Sequence, residues 1–162
     1  MLEQVITFAT KAHGSQMRRG GEEPYINHSI RVYEHMVEFG IDPSLAYVGI
    51  LHDVLEDTPY YMEEVKLYLP FLDNEVFEAL DLVTRRNGES KPEYLERLYT
   101  SKNPLALICK SMDALDNSIM SPTGIKFTKE VLGRDPVRDC KRYLKLHKEC
   151  LSLYLQEVCV SG

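Results

Sequence analysis

The sequence predicts an all-α protein, an irregular bundle of helices. Apolar residues recur at helical spacing along most of the 162 residues, and no convincing pair of alternating strands is present. No internal repeat, low-complexity segment or linker rich in proline, glycine or serine divides the chain. We therefore expect residues 1–162 to form one domain around a helical core.

Glycine, proline and capping residues mark the helix boundaries. The first helix is expected to end near His13, and the second to run from about Asn27–Ser29 to Gly40. Asp42 and Pro43 then predict the N-cap and first position of a third helix, which continues to about residue 58. The sequence pattern predicts neither a helix nor a loop for residues 121–133. Further helices are expected over residues 62–69, 74–86, 92–100, 104–119 and 136–158.

The chain is acidic overall, with a formal net charge of −6. Binding to nucleic-acid backbones or anionic membranes depends on clustered lysine and arginine, so this charge argues against both kinds of partner. A small anionic substrate is compatible with it, provided that a metal ion and a few arginines reverse the field in one cleft. We expect a small-molecule partner, and a homo-oligomer is compatible with the sequence.

Neither the N-terminus nor the hydropathy pattern predicts export or a membrane span. The first residues lack a basic segment followed by an apolar one, and no apolar run approaches the roughly 18 residues that span a bilayer. The four cysteines form no Cys-x-x-Cys pair and have no histidine at zinc-finger spacing. We interpret them as reduced thiols, which predicts a cytoplasmic protein.

The third predicted helix carries ionisable residues directly after a buried stretch. Residues 45–51 are apolar almost all round, and His52, Asp53, Glu56 and Asp57 follow. A buried carboxylate needs a partner, and a divalent cation within reach of both His52 and Asp53 meets that need. Glu56 and Asp57 lie one turn further on, where they suit the orientation or deprotonation of a metal-bound water. Alternatively, the helix surfaces here and its last turn is solvated, which is the usual situation of a lone His-Asp pair.

Two further ligands are expected from distant parts of the chain. Asp113 closes an apolar helical run, and His28 lies at an extended entry into the second helix. A lone histidine is more often structural than ligating, so each residue is weak evidence by itself. Together with His52 and Asp53 they supply two imidazoles and two carboxylates, a set that suits Mn, Fe or Zn better than Ca.

Several short motifs occur in the order and at the spacing of a known family. They are Ala12-His13, Gln16-x-Arg18-Arg19-x-Gly21, Pro24-Tyr25-Ile26-x-His28, Leu51-His52-Asp53-Val54-x-Glu56-Asp57-Thr58, Val83-Thr84-Arg85 and Lys110-x-x-Asp113-x-x-x-Asn117. In these motifs, which span about residues 8–120, the chain resembles the hydrolase domain of the RelA/SpoT-type alarmone enzymes, and especially the small stand-alone alarmone hydrolases. The resemblance implies a helical bundle of the HD-domain type.

The resemblance also implies an activity, the manganese-dependent removal of the 3′-pyrophosphate from (p)ppGpp. Glu56 and Asp57 would position and activate the attacking water. The implied metal ligands are His28, His52, Asp53 and Asp113.

Substrate contacts are expected from two parts of the chain. The resemblance places Arg18 against the nucleotide, Arg19 at its base or phosphate and Asn117 at its ribose. Tyr143 on the last helix is a further candidate that the resemblance implies. Arg85 is expected either to neutralise substrate oxygens or to complement the C-terminus of a helix.

Departures from the family pattern concern the choice of substrate. The family's Lys-Leu-Ala-Asp is Lys110-Ser111-Met112-Asp113 here, Ser29 replaces the usual proline, and Met120 stands where relatives can present a polar residue to guanine. Two alternatives therefore stay open. One is hydrolysis of another nucleotide, such as the 2′-phosphate of NADPH or a nucleoside phosphate. The other is a non-catalytic nucleotide sensor, which the intact pair of Glu56 and Asp57 disfavours.

Overall fold

The computed structural model describes residues 1–119 and 122–160. These residues form ten helices and no β-strand, which confirms the prediction of an all-α fold. The helices are α1 (Leu2–His13), α2 (Tyr25–Glu38), α3 (Tyr47–Leu51), α4 (Val54–Asp57), α5 (Met62–Tyr68), α6 (Asn74–Val83), α7 (Lys91–Ser101), α8 (Pro104–Ser118), α9 (Pro122–Glu130) and α10 (Pro136–Val160).

The prediction of one continuous third helix is wrong. Residues 43–46 form turns, and the segment then divides into α3 and α4. The predicted N-cap is wrong as well: a carboxylate oxygen of Asp42 accepts the backbone N–H of Ser44 across 2.8 Å within the turn, while the N-cap of α3 is Ala46.

The break between α3 and α4 falls at His52 and Asp53. The Nδ1–H of His52 donates to the carbonyl of Gly49 across 2.8 Å, and Asp53 has φ −100° and ψ −4°. In a continuous helix that carbonyl would accept the N–H of Asp53. The imidazole therefore competes for the acceptor that would carry the helix through this point.

The second helix begins earlier than predicted. Pro24 occupies its N-cap with extended backbone (φ −57°, ψ 139°), so His28 lies inside the first turn of α2 and not at an extended entry. The interval that was ambiguous in the sequence contains α9, while Met120 and Ser121 lie outside the described residues. The other predicted helices agree with the observed ones to within about one turn.

Helices α2, α3 and α8 share the core, and α10 lies along α8. Val32 and Met36 on α2, Ile50 on α3 and Leu107 on α8 are fully buried there. Gly49 lets α3 approach α2 closely, since a Cβ atom at this position would lie 2.9 Å from the backbone N of Tyr33. This packing brings the start of α2, the α3–α4 junction and the middle of α8 to one place.

Within residues 1–119 and 122–160, no helix combines the length and apolar character needed to cross a bilayer. The four cysteines, all in the described part of the chain, are free thiols.

Candidate metal centre

The expected ligands come from three parts of the fold that lie close together. His28 lies in the first turn of α2, His52 and Asp53 form the α3–α4 junction, and Asp113 lies on α8. Both imidazoles and the Asp113 carboxylate are buried, with side chains at most 7% exposed, while the Asp53 side chain is 19% exposed. The fold thus brings together four residues that the sequence holds far apart.

The distances between these groups match those around a single ion. His28 Nε2 lies 3.2 Å from Asp113 Oδ1 and 3.8 Å from Asp53 Oδ2. His52 Nε2 lies 2.9 Å from Asp53 Oδ2 and 3.6 Å from Asp113 Oδ1. Ligand atoms that each stand about 2.1 Å from one ion are separated by roughly 3.0–4.2 Å, depending on the coordination geometry. One atom from each of His28, His52 and Asp113 lies within 4.8 Å of the others, as a shared cation requires.

Both histidines turn the Nε2 atom towards this space. The Nδ1–H of His28 donates to Asp116 Oδ2 across 2.6 Å, and that of His52 donates to the Gly49 carbonyl. Neither buried Nε2 atom makes a well-aligned hydrogen bond within the described chain. A donor occupied at Nδ1 and a lone pair exposed at Nε2 is the usual arrangement of a metal-ligating imidazole. The donor set therefore fits a divalent cation.

The charged forms of His52 and Lys110 balance the buried carboxylates. Burial disfavours the charged form of His52, but the carboxylates of Asp53 and Asp113 outweigh it and raise its pKa well above 6.5. Burial likewise opposes ionisation of Asp113, yet Lys110 and the two histidines hold the pKa of Asp113 well below its usual range. The Nζ atom of Lys110 donates to Asp113 Oδ2 across 2.6 Å, which leaves Oδ1 facing the histidines.

A tyrosine that was not predicted as a site residue holds Asp53. The hydroxyl of Tyr25 donates to Asp53 Oδ2 across 2.5 Å. The Tyr25 ring lies against the ring of His13, with a centroid distance of 4.9 Å, and edge-on to His28. Burial and the charge of Asp53 raise the pKa of Tyr25 far above its ordinary value, so its hydroxyl stays a donor.

Glu56 and Asp57 follow the ligands on α4 but have different surroundings. Partial burial and the charge of Asp53 raise the pKa of Asp57, although a hydrogen bond with Gln16 opposes the shift. Glu56 accepts the backbone N–H of Arg85 across 3.1 Å and lies 3.4 Å from its Nε atom. Arg85 is thus paired with Glu56, and Asp57 is the carboxylate better suited to accept a proton.

A loop between α1 and α2, residues 14–24, carries the expected substrate arginines and is called the arginine loop below. Arg18 donates to Oδ1 of Asn117 across 3.0 Å, and Asn117 Nδ2 donates to Asp113 Oδ1 across 2.5 Å. Arg18, Arg19, Arg31 and Asn117 contribute to the lining of one polar cleft. The predicted substrate residues Arg18 and Asn117 therefore lie together, one step from the Asp113 carboxylate.

Arg19 and Tyr143 meet on the side of α10 that faces the loop. Arg19 lies 3.6 Å from Asp139 and 3.5 Å from the Thr128 hydroxyl, which it reaches as a donor. Burial would raise the pKa of Tyr143, but hydrogen bonding and charge from Arg19 lower it below the ordinary value. The structure thus brings these two expected substrate residues together.

Five residues of this region were not predicted as site residues from the sequence: Tyr25, Arg31, Lys91, Lys110 and Asp116. Lys91 lies close enough to Lys110 and Arg142 that partial burial and these two charges lower its pKa. Asp116 is buried and is three residues from Asp113 on α8. The available signal was the polar stripe of Asp113, Asp116 and Asn117, at spacings of three and four, on an otherwise apolar helix.

Known proteins are similar to this chain in sequence and in fold. No protein-family model matches the sequence. The chain is 31% identical over 119 residues to guanosine-3′,5′-bis(diphosphate) 3′-pyrophosphohydrolase of Aquifex aeolicus, in a match that covers 72% of this chain and 17% of that protein. It is 26% identical over 160 residues to the GTP pyrophosphokinase rsh of Brucella ovis, covering 95% of this chain and 19% of the relative. The chain therefore spans less than a fifth of the length of these curated relatives.

A solved structure shows the same fold over nearly the whole chain. It is described as a metazoan ortholog of SpoT that hydrolyzes ppGpp and plays a role in starvation responses. The two structures match with a TM-score of 0.61 and 23% sequence identity, over 95% of this chain and 93% of the other. In sequence the chain resembles part of the Aquifex pyrophosphohydrolase, and in fold it resembles the SpoT ortholog. Both findings confirm the resemblance to a hydrolase domain of the RelA/SpoT type.

Proposed function

We propose that the protein is a metal-dependent pyrophosphohydrolase that removes the 3′-pyrophosphate from (p)ppGpp and leaves GDP or GTP. One observation carries the proposal: the Nε2 atoms of two buried imidazoles face the carboxylates of Asp53 and Asp113 at 2.9–3.8 Å. The named activities of the Aquifex relative and of the SpoT ortholog support the choice of substrate.

The cation would be held by His28, His52, Asp53 and Asp113, and we propose Mn²⁺ because mixed nitrogen and carboxylate sets suit such borderline ions. When bound, a divalent cation lowers the pKa of a coordinated water and polarises a phosphoryl oxygen. The buried donor set supports one such ion.

The protein's own side chains would then handle the proton and the charge. Asp57 would accept a proton from the attacking water, and its raised pKa makes it a stronger base than an ordinary aspartate. The water oxygen bonds to the phosphorus attached to the ribose 3′-oxygen, and the bond between that phosphorus and the 3′-oxygen breaks. The 3′-oxygen would take up the proton that Asp57 received from the water, and pyrophosphate is the second product.

Cations around the centre would neutralise the substrate. Arg18 donates to Asn117, which in turn donates to the proposed ligand Asp113. Lys91 lies near Lys110 and Arg142. Fixed positive groups of this kind stabilise the charge that develops on transferring phosphoryl oxygens. Glu56, which accepts the backbone N–H of Arg85, would orient the attacking water.

The decisive experiment measures substrate loss with purified protein and Mn²⁺ on ppGpp, NADPH and a panel of nucleoside phosphates. We expect pyrophosphate release from ppGpp and its loss in Asp53→Ala. Asp73→Ala is the matched control, because Asp73 is exposed at the start of α6 and makes no side-chain capping bond. Turnover of NADPH alone would replace the alarmone by another nucleotide, whereas no turnover of any compound would favour a nucleotide sensor.

We further propose that residues 1–162 act as one catalytic domain in the cytoplasm. The four free thiols support this location, since cytoplasmic conditions keep cysteines reduced.

A further inference from the structure

Arg31 makes two paired contacts that the proposed reaction does not use. It lies on α2, nearly one turn after His28. On one side its Nε atom lies 2.6 Å from Asp116 Oδ1 and its NH2 atom lies 3.1 Å from Asp116 Oδ2. On the other side it contacts both carboxylate oxygens of Glu23, with NH2 lying 3.4 Å from Oε2. A single planar guanidinium therefore holds two carboxylates in fixed orientations.

The Asp116 side of this arrangement leads to the metal centre. Asp116 is 3% exposed, and its Oδ2 atom accepts the Nδ1–H of His28 across 2.6 Å. Since Arg31 fixes the plane of the Asp116 carboxylate, it also fixes the rotation of the His28 ring. That rotation decides where Nε2 of His28 points.

The Glu23 side leads to the arginine loop. The backbone carbonyl of Glu23 accepts the N–H of Arg18 across 2.7 Å, and Met17 pairs with Pro24 in an isolated bridge. These two contacts join the ends of the arginine loop near Glu23, the residue that Arg31 contacts. Because Arg18 is carried by this closed loop, the position of Glu23 determines where the Arg18 side chain stands.

We propose that Arg31 is a positioning residue that ties the arginine loop to the metal ligand His28, so that metal and nucleotide bind cooperatively. The inference rests on the proposed function only for the ligand class, a guanosine nucleotide. It makes one guanidinium responsible for two separate properties: the direction of His28 Nε2, and the placement of Arg18 in the polar cleft.

The two sides can be separated by substitution. In Arg31→Met both carboxylates lose the guanidinium; Asp116 still accepts the Nδ1–H of His28 but is no longer held in one plane. We therefore expect Mn²⁺ affinity to fall about 10-fold, the lower end of the range for changed partners of ligating histidines. GDP binding in the presence of Mn²⁺ should weaken as well. In Glu23→Gln only the loop is released, so GDP binding should weaken while Mn²⁺ affinity stays within about twofold of the wild type. Arg31→Lys should restore part of both affinities, because lysine supplies the charge without the planar fork.

The measurements are titration calorimetry of Mn²⁺ alone and of GDP with and without Mn²⁺. Cooperative binding predicts that Mn²⁺ tightens GDP binding by at least about fivefold in the wild type, and by much less in Arg31→Met. The matched control is Arg86→Met, which removes an exposed arginine whose ion-pair partner, at 3.6 Å, is the exposed Asp81. It should change neither affinity.

Mn²⁺ affinity within about twofold of the wild type in folded Arg31→Met would overturn the inference. If that variant does not fold, Asp116→Asn and Glu23→Gln provide the test, with the ¹⁵N shifts of His28 as a direct report on its tautomer. Unchanged shifts in Asp116→Asn, or equal losses of Mn²⁺ and GDP affinity in Glu23→Gln, would also overturn it. None of these readouts requires turnover, so a protein that binds cooperatively but leaves ppGpp intact would refute the proposed function alone.

Discussion

Lys110 and Asp113 form a buried pair in which the carboxylate has two roles. Nζ of Lys110 donates to Oδ2 across 2.6 Å, while Oδ1 of the same carboxylate lies 3.2 Å from His28 Nε2. Burial would lower the pKa of Lys110, but the charge of Asp113 raises it well above 10.5, so the lysine stays charged. The lysine therefore stabilises the ionised ligand before any cation arrives.

The first prediction removes that lysine. In Lys110→Met the Asp113 carboxylate loses its buried partner, so the metal-free protein should lose up to about 3 kcal/mol of unfolding free energy in urea. Mn²⁺ should recover part of this loss, because it supplies positive charge at the same carboxylate. Lys66→Met, which changes an exposed lysine on α5, is the control. Equal stability of the two variants without metal would contradict the role given to Lys110.

The second prediction concerns the ion itself. At a Mn²⁺ concentration of about 100 times Kd, the stabilisation should reach about 2.7 kcal/mol, and the Tm should rise by roughly 5–10 °C. Asp113→Asn should abolish most of this rise, because it removes a ligand and leaves His28 and His52 with less negative charge. Thermal melts with EDTA and with Mn²⁺ measure the effect. A similar rise in both proteins would mean that the ion binds elsewhere.

The third prediction is a dependence on pH. The raised pKa of His52 keeps its imidazolium charged above the ordinary value of 6.5, whereas a metal requires the neutral ring. The stability that the charged ring gives the metal-free protein is fully present below 6.5 and is lost as the pH rises through the raised pKa. Mn²⁺ affinity should change in the opposite direction and increase over the same range. The stabilisation by Mn²⁺ should therefore grow from pH 6 to pH 8.

Calorimetry in buffers of different ionisation enthalpy checks this directly, since metal binding should release protons near neutral pH. In His52→Gln the proton release should decrease. Proton release that is the same in the variant and the wild type would contradict the assignment to His52.

The sequence predicted the four candidate ligands because His52, Asp53 and Asp113 follow apolar helical runs, His28 lies at the start of a helix, and all four belong to recognisable motifs. It did not predict that His52 and Asp53 end α3, because apolar periodicity runs on through this segment and only the contact of the His52 ring with Gly49 reveals the break. Periodicity reports which face of a helix is buried, and it does not report which backbone acceptor a side chain takes.

Asp116 and Arg31 were missed for a different reason. Each is an ordinary charged residue on a helix, and they meet only because α2 packs against α8. The local sequence around either residue contains no information on that contact. The pairing of distant charges depends on the tertiary structure. The contacts of Asp116 and Arg31 around His28 are therefore visible only in the folded chain.

The fourth prediction distinguishes the two acidic residues of α4. Asp57→Asn should lower kcat by about 10²–10⁴-fold, the range for loss of a general base, with Mn²⁺ affinity nearly unchanged. Glu56→Gln should have a smaller effect on kcat, because Glu56 is already engaged by Arg85 across 3.1 Å. Steady-state hydrolysis together with metal titration separates the cases. A larger loss in Glu56→Gln than in Asp57→Asn would assign the proton transfer to Glu56.

The last prediction tests how closely the helices must pack to form the centre. Gly49 faces the backbone of α2, and an added Cβ would lie 2.9 Å from Tyr33 N and 3.1 Å from Tyr33 Cα. Backbone atoms cannot rotate away as a side chain would, so in Gly49→Ala α3 and α2 must move apart. We expect a loss of about 1–3 kcal/mol in unfolding free energy, typical of overpacking.

The same movement should change the metal site, because His28 is carried by α2 and His52 follows α3. Their ring centroids are 5.2 Å apart, and the ligand distances leave little tolerance for a shift between the helices. Mn²⁺ affinity should therefore fall together with stability in Gly49→Ala, whereas Glu96→Ala on the exposed side of α7 should change neither. If the close approach did not matter, alanine would stabilise α3 by about 1 kcal/mol through its helix propensity. Urea denaturation of the metal-free variant distinguishes these outcomes by the sign of the change alone.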